Sequence, residues 1–96
     1  MIHIAICDDD RKYAEEIESM VKECCREADG LCHGEIYEGS AELMEEIGKG
    51  EYFDIFLLDI GMPGMGGMEL AAKIRDILPQ TIIIFITSYE KYVFQS

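Results

Sequence analysis

The sequence predicts an α/β fold in which a parallel sheet carries helices on both faces. Four strand-like segments alternate with segments whose apolar residues recur every three or four positions. This β-α-β-α-β-α-β-α order is typical of a parallel sheet with crossover helices. The chain has 96 residues, 49% of them hydrophobic, and contains no repeat or linker. Residues 1–96 are therefore predicted to form one domain with one modest core.

The first half of the chain predicts two strands and two helices. The apolar run from Ile2 to Cys7 ends in three aspartates and fits a central strand. An amphipathic helix follows and ends near Gly30. The segment HGEIYEG is more polar and fits an edge strand. Ser40 is predicted to cap the second helix.

The second half repeats this alternation. The segment YFDIFLL predicts the third strand, with Asp54 at its beginning, and a third helix ends before Pro79. The segment TIIIFI is apolar on both faces, which predicts a strand buried on both sides of the sheet. The last residues, YEKYVFQS, predict the start of a fourth helix.

Composition excludes several classes of partner. The formal charge is -12, from 20 acidic and 8 basic residues, whereas nucleic-acid surfaces need clustered Lys and Arg. Direct nucleic-acid contact by this domain is not expected. No apolar stretch approaches the roughly 20 residues of a membrane span, and a strand-like run follows Met1 directly. We therefore expect a soluble cytoplasmic protein without a membrane partner.

The four cysteines do not follow a disulfide or zinc pattern. Cys24 and Cys25 are neighbours on a predicted helix, where adjacent side chains point about 100° apart and cannot easily bridge or share a metal. Cys32 precedes a histidine, but no CxxC spacing accompanies that pair. All four cysteines are predicted to be reduced and to be structural or incidental.

Oxygen-bearing side chains follow three of the predicted strands. The first strand runs into Asp8, Asp9 and Asp10, the third into Asp59, and the fourth into Thr87. Ligands of open parallel sheets bind at the carboxyl ends of the strands, and adjacent strands lie only about 4.8 Å apart. Carboxylates held that close repel unless they bind protons or a cation, and an all-oxygen set favours Mg²⁺.

Asp59 is the candidate nucleophile of this group. A carboxylate can attack phosphorus to form an acyl phosphate when donors and a metal neutralise the developing charge. The glycine-rich loop that follows, GMPGMGG, would let backbone groups approach the phosphate. Each motif alone has a simpler explanation, as a helix cap, a turn or a strand end. Their joint occurrence in this order favours the site.

The segments IAICDDD, FLLDIGMPGMGGMEL and IIIFITS closely resemble the receiver domain of two-component response regulators, especially those with a LytTR-type output domain. The resemblance implies a flavodoxin-like (CheY-like) doubly wound sheet with strand order 2-1-3-4. It implies that Asp59 accepts a phosphoryl group from a sensor histidine kinase or a small phosphodonor. Asp9 would bind Mg²⁺ directly, Asp8 through water, and Gly61 through its backbone carbonyl. Thr87 would hydrogen-bond the phosphoryl group and carry the switch to an output domain that regulates transcription.

Two departures from the family pattern affect this expectation. Gly66 stands where the family most often has Asp, and the sequence ends at Ser96, before the family's fifth strand and its lysine. The receiver domain is therefore expected to be incomplete at its C-terminus. Without a fifth strand the TIIIFI segment would be an apolar sheet edge, which predicts either a truncated domain or cover by a second copy, as a homodimer or a strand-exchanged dimer.

Three other functions are compatible with parts of the pattern. A receiver-like interaction module that is never phosphorylated is the main alternative. An aspartyl-phosphate hydrolase of the haloacid-dehalogenase type needs a second Asp where this chain has Gly61. A flavodoxin-like electron carrier is disfavoured because DDDRKY would repel the phosphate of FMN. The domain is therefore expected to be no enzyme beyond self-phosphorylation and autodephosphorylation.

Overall fold

A four-stranded parallel sheet with strand order β2-β1-β3-β4 forms the centre of the computed structural model, which describes residues 1–87. In chain order the elements are β1 (Ile2–Cys7), α1 (Arg11–Glu27), β2 (Cys32–Tyr37), α2 (Ser40–Gly48), β3 (Ile55–Asp59), α3 (Gly67–Ile77) and β4 (Ile82–Ile86). The predicted fold class and strand order are confirmed. The predicted fourth helix lies outside the described residues.

Helices cover both faces of the sheet, and each face has its own core. On one face, Phe56 and Leu58 of β3 pack with apolar residues of α2 and α3. On the other face, Ile4 and Ile6 of β1 pack with Ala14 and other residues of α1. The alternation of side chains along each strand divides the buried residues between the two cores. None of the helices within residues 1–87 is long and apolar enough to cross a membrane.

Strand β4 differs from the prediction that it would be buried on both sides. It lies at the edge of the described sheet, and Ile82 and Ile84 are 56% and 47% exposed. Helix α1 packs against β1 and β2, which leaves the β4 end of that face without a covering helix within residues 1–87. The apolar pattern predicted the strand correctly, but burial depends on neighbours that local sequence does not identify.

The N-terminus of α2 corrects a second prediction. Gly39 occupies the N-cap position without a side-chain hydrogen bond, and Ser40 is the first helical residue. The hydroxyl of Ser40 donates instead to the backbone carbonyl of Met65, at 2.7 Å. Ser40 therefore links α2 to the loop before α3, a contact between segments 25 residues apart.

The prediction of four reduced cysteines is wrong for one pair. Cys25 in α1 and Cys32 in β2 form a disulfide, with their Cα atoms 6.0 Å apart. The chain turns back after α1, and this brings the end of the helix next to the start of β2. Cys7 and Cys24 are free thiols, and Cys24 and Cys25 do not pair with each other, as predicted.

Candidate functional site

Three carboxylates meet at the carboxyl ends of β1 and β3. Cys7 pairs with Leu58 in the sheet register, so the next residues of the two strands, Asp8 and Asp59, are neighbours. One carboxylate oxygen from each of Asp8, Asp9 and Asp59 lies within 4.8 Å of the others. We call these three residues the acidic cluster. Asp8 and Asp59 are 0% exposed, whereas Asp9 faces solvent.

The aspartates of the DDD motif have two different roles at the start of α1. Asp8 belongs to the acidic cluster, and its carboxylate also accepts a hydrogen bond from the backbone N–H of Asp10, at 2.9 Å. Asp10 is the N-cap of α1, and its side chain accepts from the N–H of Tyr13, at 3.2 Å. Asp10 is therefore the helix cap among the three aspartates.

The glycine-rich loop after β3 brings backbone close to Asp59. The N–H of Gly61 donates to the Asp59 carboxylate, at 3.4 Å, and the N–H of Gly67 donates to the carbonyl of Ile60, at 3.0 Å. Gly67 packs so tightly that a Cβ there would overlap the carbonyl oxygen of Asp59 and lie 2.9 Å from its carbonyl carbon. Gly64 has a φ of 75°, which favours glycine. The loop sequence thus folds back onto the backbone of Asp59.

Thr87 follows the strand end nearest to Asp59. Ile86 pairs with Asp59 in the register, and its carbonyl accepts the N–H of Ile60, at 3.2 Å. The hydroxyl of Tyr13 donates to the carbonyl of Thr87, at 3.0 Å. Sequence reasoning missed Tyr13, because this contact joins the first turn of α1 to a residue 74 positions away. The structure therefore ties β4 to α1 beside the acidic cluster.

Cys7 lies beneath the acidic cluster and was not predicted as part of its surroundings. Its thiol is buried, 3.6 Å from the sulfur of Met62. Burial, and then the negative charges of Asp8 and Asp59, raise the pKa of the Cys7 thiol to about 12. The thiol consequently stays protonated at neutral pH and packs within the apolar core next to Met62.

Comparison with known protein families agrees with this arrangement of strands and acidic residues. A model of the response regulator receiver domain matches residues 4–95. The chain belongs to the response regulator receiver domain family. It is 34% identical, over 99 aligned residues, to the sensory transduction protein LytT of Oceanobacillus iheyensis. That match covers 99% of this chain and 37% of LytT, so the chain spans little more than a third of that relative.

Solved receiver structures share the fold. The response regulator TrrA of Thermotoga maritima, solved in complex with Mg²⁺ and BeF, is 29% identical, with a TM-score of 0.70 over 96% of this chain and 74% of that one. A CheY-like receiver domain protein of Methanospirillum hungatei is 30% identical, with a TM-score of 0.68 over 99% of this chain and 73% of that one. The response regulator DrrB of Thermotoga maritima is 25% identical and has a TM-score of 0.69, and the chain covers 40% of its length.

These comparisons confirm the receiver resemblance and the CheY-like fold. The chain is a receiver domain of a response regulator, which is a signalling domain of two-component systems.

Proposed function

We propose that this receiver domain accepts a phosphoryl group on Asp59 and acts as a Mg²⁺-dependent switch. The observation that carries this proposal is the acidic cluster, in which Asp59 is fully buried and within 4.8 Å of two further carboxylates. Burying two like charges this close together is unfavourable unless a cation compensates them. A purely structural role would not need this arrangement at the end of two central strands.

The residues of the cluster fit a divalent cation. Their oxygens are the ligand type that Mg²⁺ prefers, and the exposed Asp9 leaves one side of the cluster open to solvent. Asp9 and Asp59 would bind the ion directly, Asp8 through water, and Gly61 through its backbone carbonyl. When bound, Mg²⁺ would offset negative charge on the phosphoryl oxygens.

The chemistry of the switch then follows from the residues around Asp59. An oxygen of Asp59 attacks the phosphorus of a phosphodonor, the bond to the leaving group breaks, and the leaving group keeps the electron pair. The product is an acyl phosphate. The N–H of Gly61, already directed at the Asp59 carboxylate, holds that side chain in position. The hydroxyl of Thr87 would donate to a phosphoryl oxygen. Attack by water on phosphorus would later release inorganic phosphate and restore Asp59.

The partners follow from the same role. We infer a sensor histidine kinase as phosphodonor and an output domain that regulates transcription, because the chain is a response regulator receiver domain and LytT is a relative. We infer a cytoplasmic location, because this is where such a kinase would present its phosphohistidine. Residues 1–96 would be the receiver domain, without direct nucleic-acid contact of its own.

We also infer that a second copy covers the exposed edge of β4.

The test is labelling by acetyl phosphate with Mg²⁺, followed by intact-protein mass spectrometry. The unchanged chain should gain one phosphoryl group, and Asp59→Asn should gain none. Asp76→Asn is the matched control, because Asp76 is exposed on α3 and its replacement removes the same charge. Full labelling of Asp59→Asn would contradict the assignment of the phosphoacceptor.

A second probe separates the switch from a receiver-like interaction module that is never phosphorylated. Beryllofluoride with Mg²⁺ mimics a phosphoryl group on a carboxylate. We expect amide shifts around Asp59 and Thr87 in NMR spectra of the unchanged chain. No labelling and no shifts would favour the interaction module.

A further inference from the structure

Cys25 and Cys32 lie on either side of the turn between α1 and β2, and they take no part in the proposed phosphoryl switch. Cys25 lies in the last turns of α1, and Cys32 is the first residue of β2. Their Cα separation of 6.0 Å is within the usual range for a disulfide. From Arg11 to Cys25 the helix extends about 21 Å at 1.5 Å per residue, so the pair is far from the acidic cluster.

The turn between the two cysteines is held by its own backbone. Asp29 and Gly30 both adopt positive φ, 76° and 70°, which reverses the chain after the helix. The N–H of Gly30 donates to the carbonyl of Cys25, and the N–H of Ile2 donates to the carbonyl of Leu31, at 2.8 Å. These hydrogen bonds do not depend on the sulfur–sulfur bond. The two thiols should therefore remain neighbours after reduction and be able to close again.

Small molecules can reach the pair. Cys25 and Cys32 are each partly exposed and line an apolar cavity of about 470 Å³ together with Ile2, Leu31 and Ile55. Cys24 also lines this cavity and is an exposed free thiol. Cys7, by contrast, is buried on the opposite face of the sheet. Partly exposed neighbouring sulfurs in a cavity of this size allow thiol–disulfide exchange, whereas a buried thiol does not.

We propose that Cys25 and Cys32 form a reversible redox site that exchanges with low-molecular-weight disulfides. The thiolate of one cysteine attacks a small disulfide, which gives a mixed disulfide and releases one small thiol. The second cysteine attacks the protein sulfur of that mixed disulfide and releases the other small thiol. Two protein thiols are oxidised, one small disulfide is reduced to two thiols, and the two protons pass to those thiols. The closed pair links the end of α1 to β2.

The first experiment follows the thiols of the chain in mixtures of reduced and oxidised glutathione. Acid quenching, alkylation and intact mass give the number of free thiols. Excess oxidised glutathione should remove the two thiols of Cys25 and Cys32 as an internal disulfide, and reduced glutathione should restore them without denaturant. Cys24→Ser is the matched control and should keep this behaviour. Cys25→Ser and Cys32→Ser should form only mixed disulfides with glutathione.

The second experiment measures the melting temperature of Cys24→Ser in both redox states. Closing the pair restricts the unfolded chain, so the oxidised form should melt about 5–15 °C higher than the reduced form. Cys25→Ser in the same background should show no such difference, and circular dichroism checks that each variant is folded. The proposal is overturned if no internal disulfide forms, if it involves Cys24, or if it opens only after unfolding. Acetyl phosphate labelling of Asp59 is a separate readout, so failure of either proposal leaves the other interpretable.

Discussion

Asp59 is positioned by backbone packing as well as by its neighbours in the acidic cluster. The loop after β3 returns to Asp59 through Gly67, where no Cβ can be accommodated at the present backbone positions. The close approach of Gly67 to the Asp59 carbonyl holds the loop against the end of β3. A requirement for glycine at this position is therefore tied directly to the site.

We expect Gly67→Ala to shift Asp59 and impair its phosphorylation. The added Cβ must displace backbone, which typically costs about 1–3 kcal/mol of folding free energy. Labelling by acetyl phosphate should fall along with the melting temperature. Gly48→Ala is the control, because nothing lies within 4 Å of a Cβ at Gly48, near the end of α2. Normal labelling of Gly67→Ala would contradict this account of the loop.

The hydroxyl of Tyr37 should lose its proton at a higher pH than an ordinary tyrosine does. Burial, and then the charge of Glu35 and a hydrogen bond of 3.2 Å from the Tyr37 hydroxyl to that carboxylate, raise the pKa of Tyr37 from 10.0 to about 12. The folded protein therefore keeps this proton to a higher pH than the unfolded chain does. The stability that Tyr37 contributes is fully present below pH 10 and is lost as the pH rises toward 12.

Ultraviolet titration of tyrosinate absorbance measures this behaviour. Tyr37→Phe should remove the component that ionises near pH 12, whereas Tyr52→Phe should retain it. An unchanged late component in Tyr37→Phe would show that another tyrosine is responsible. The experiment thus identifies the shifted group by subtraction.

At the scale of secondary structure, periodicity predicted the elements, and tertiary contacts decided what periodicity could not. The apolar runs and the three- and four-residue spacing identified every strand and helix within residues 1–87. The acidic cluster was also predictable, because parallel strands direct their carboxyl ends to one edge. The contacts of Tyr13 and Ser40, and the pairing of Cys25 with Cys32, depend on where the chain turns back. No local sequence pattern specifies those tertiary contacts.

The N-cap of α1 depends on local sequence alone. The Asp10 side chain accepts the N–H of Tyr13, one of the helix donors that has no partner within the helix. We expect Asp10→Ala to lower stability by about 1 kcal/mol and the melting temperature by roughly 4–8 °C. Phosphorylation of Asp59 should persist, because Asp10 is not part of the acidic cluster.

Thermal unfolding and acetyl phosphate labelling check this separation of roles. Glu16→Ala is the control, since Glu16 is exposed within α1. This substitution also removes one negative charge, but it leaves the N-cap intact. A loss of labelling in Asp10→Ala at temperatures where the variant is folded would show that Asp10 contributes to the site. An unchanged melting temperature would show that the cap is dispensable.

At the scale of the whole molecule, two opposing features govern association. Within residues 1–87, β4 is the edge strand and exposes Ile82, Ile84 and Phe85, and sheet edges of this kind pair with other chains. The net charge of -12 opposes any such contact by repulsion between copies. Salt screens the repulsion and leaves apolar burial largely intact. Association through β4 should therefore become stronger as salt is added, whereas association through ion pairs should weaken.

Light scattering across protein and salt concentration tests the inferred second copy. The average mass of the 96-residue chain should rise with both variables, because the apolar edge then meets less repulsion. Ile84→Lys places a charge on the exposed edge and should return the chain to a monomer. Met20→Lys adds the same charge at a position of α1 that is 61% exposed, and it should leave association unchanged. A monomer at high protein and salt concentration would exclude pairing through β4, since the remaining repulsion would then be too weak to account for it.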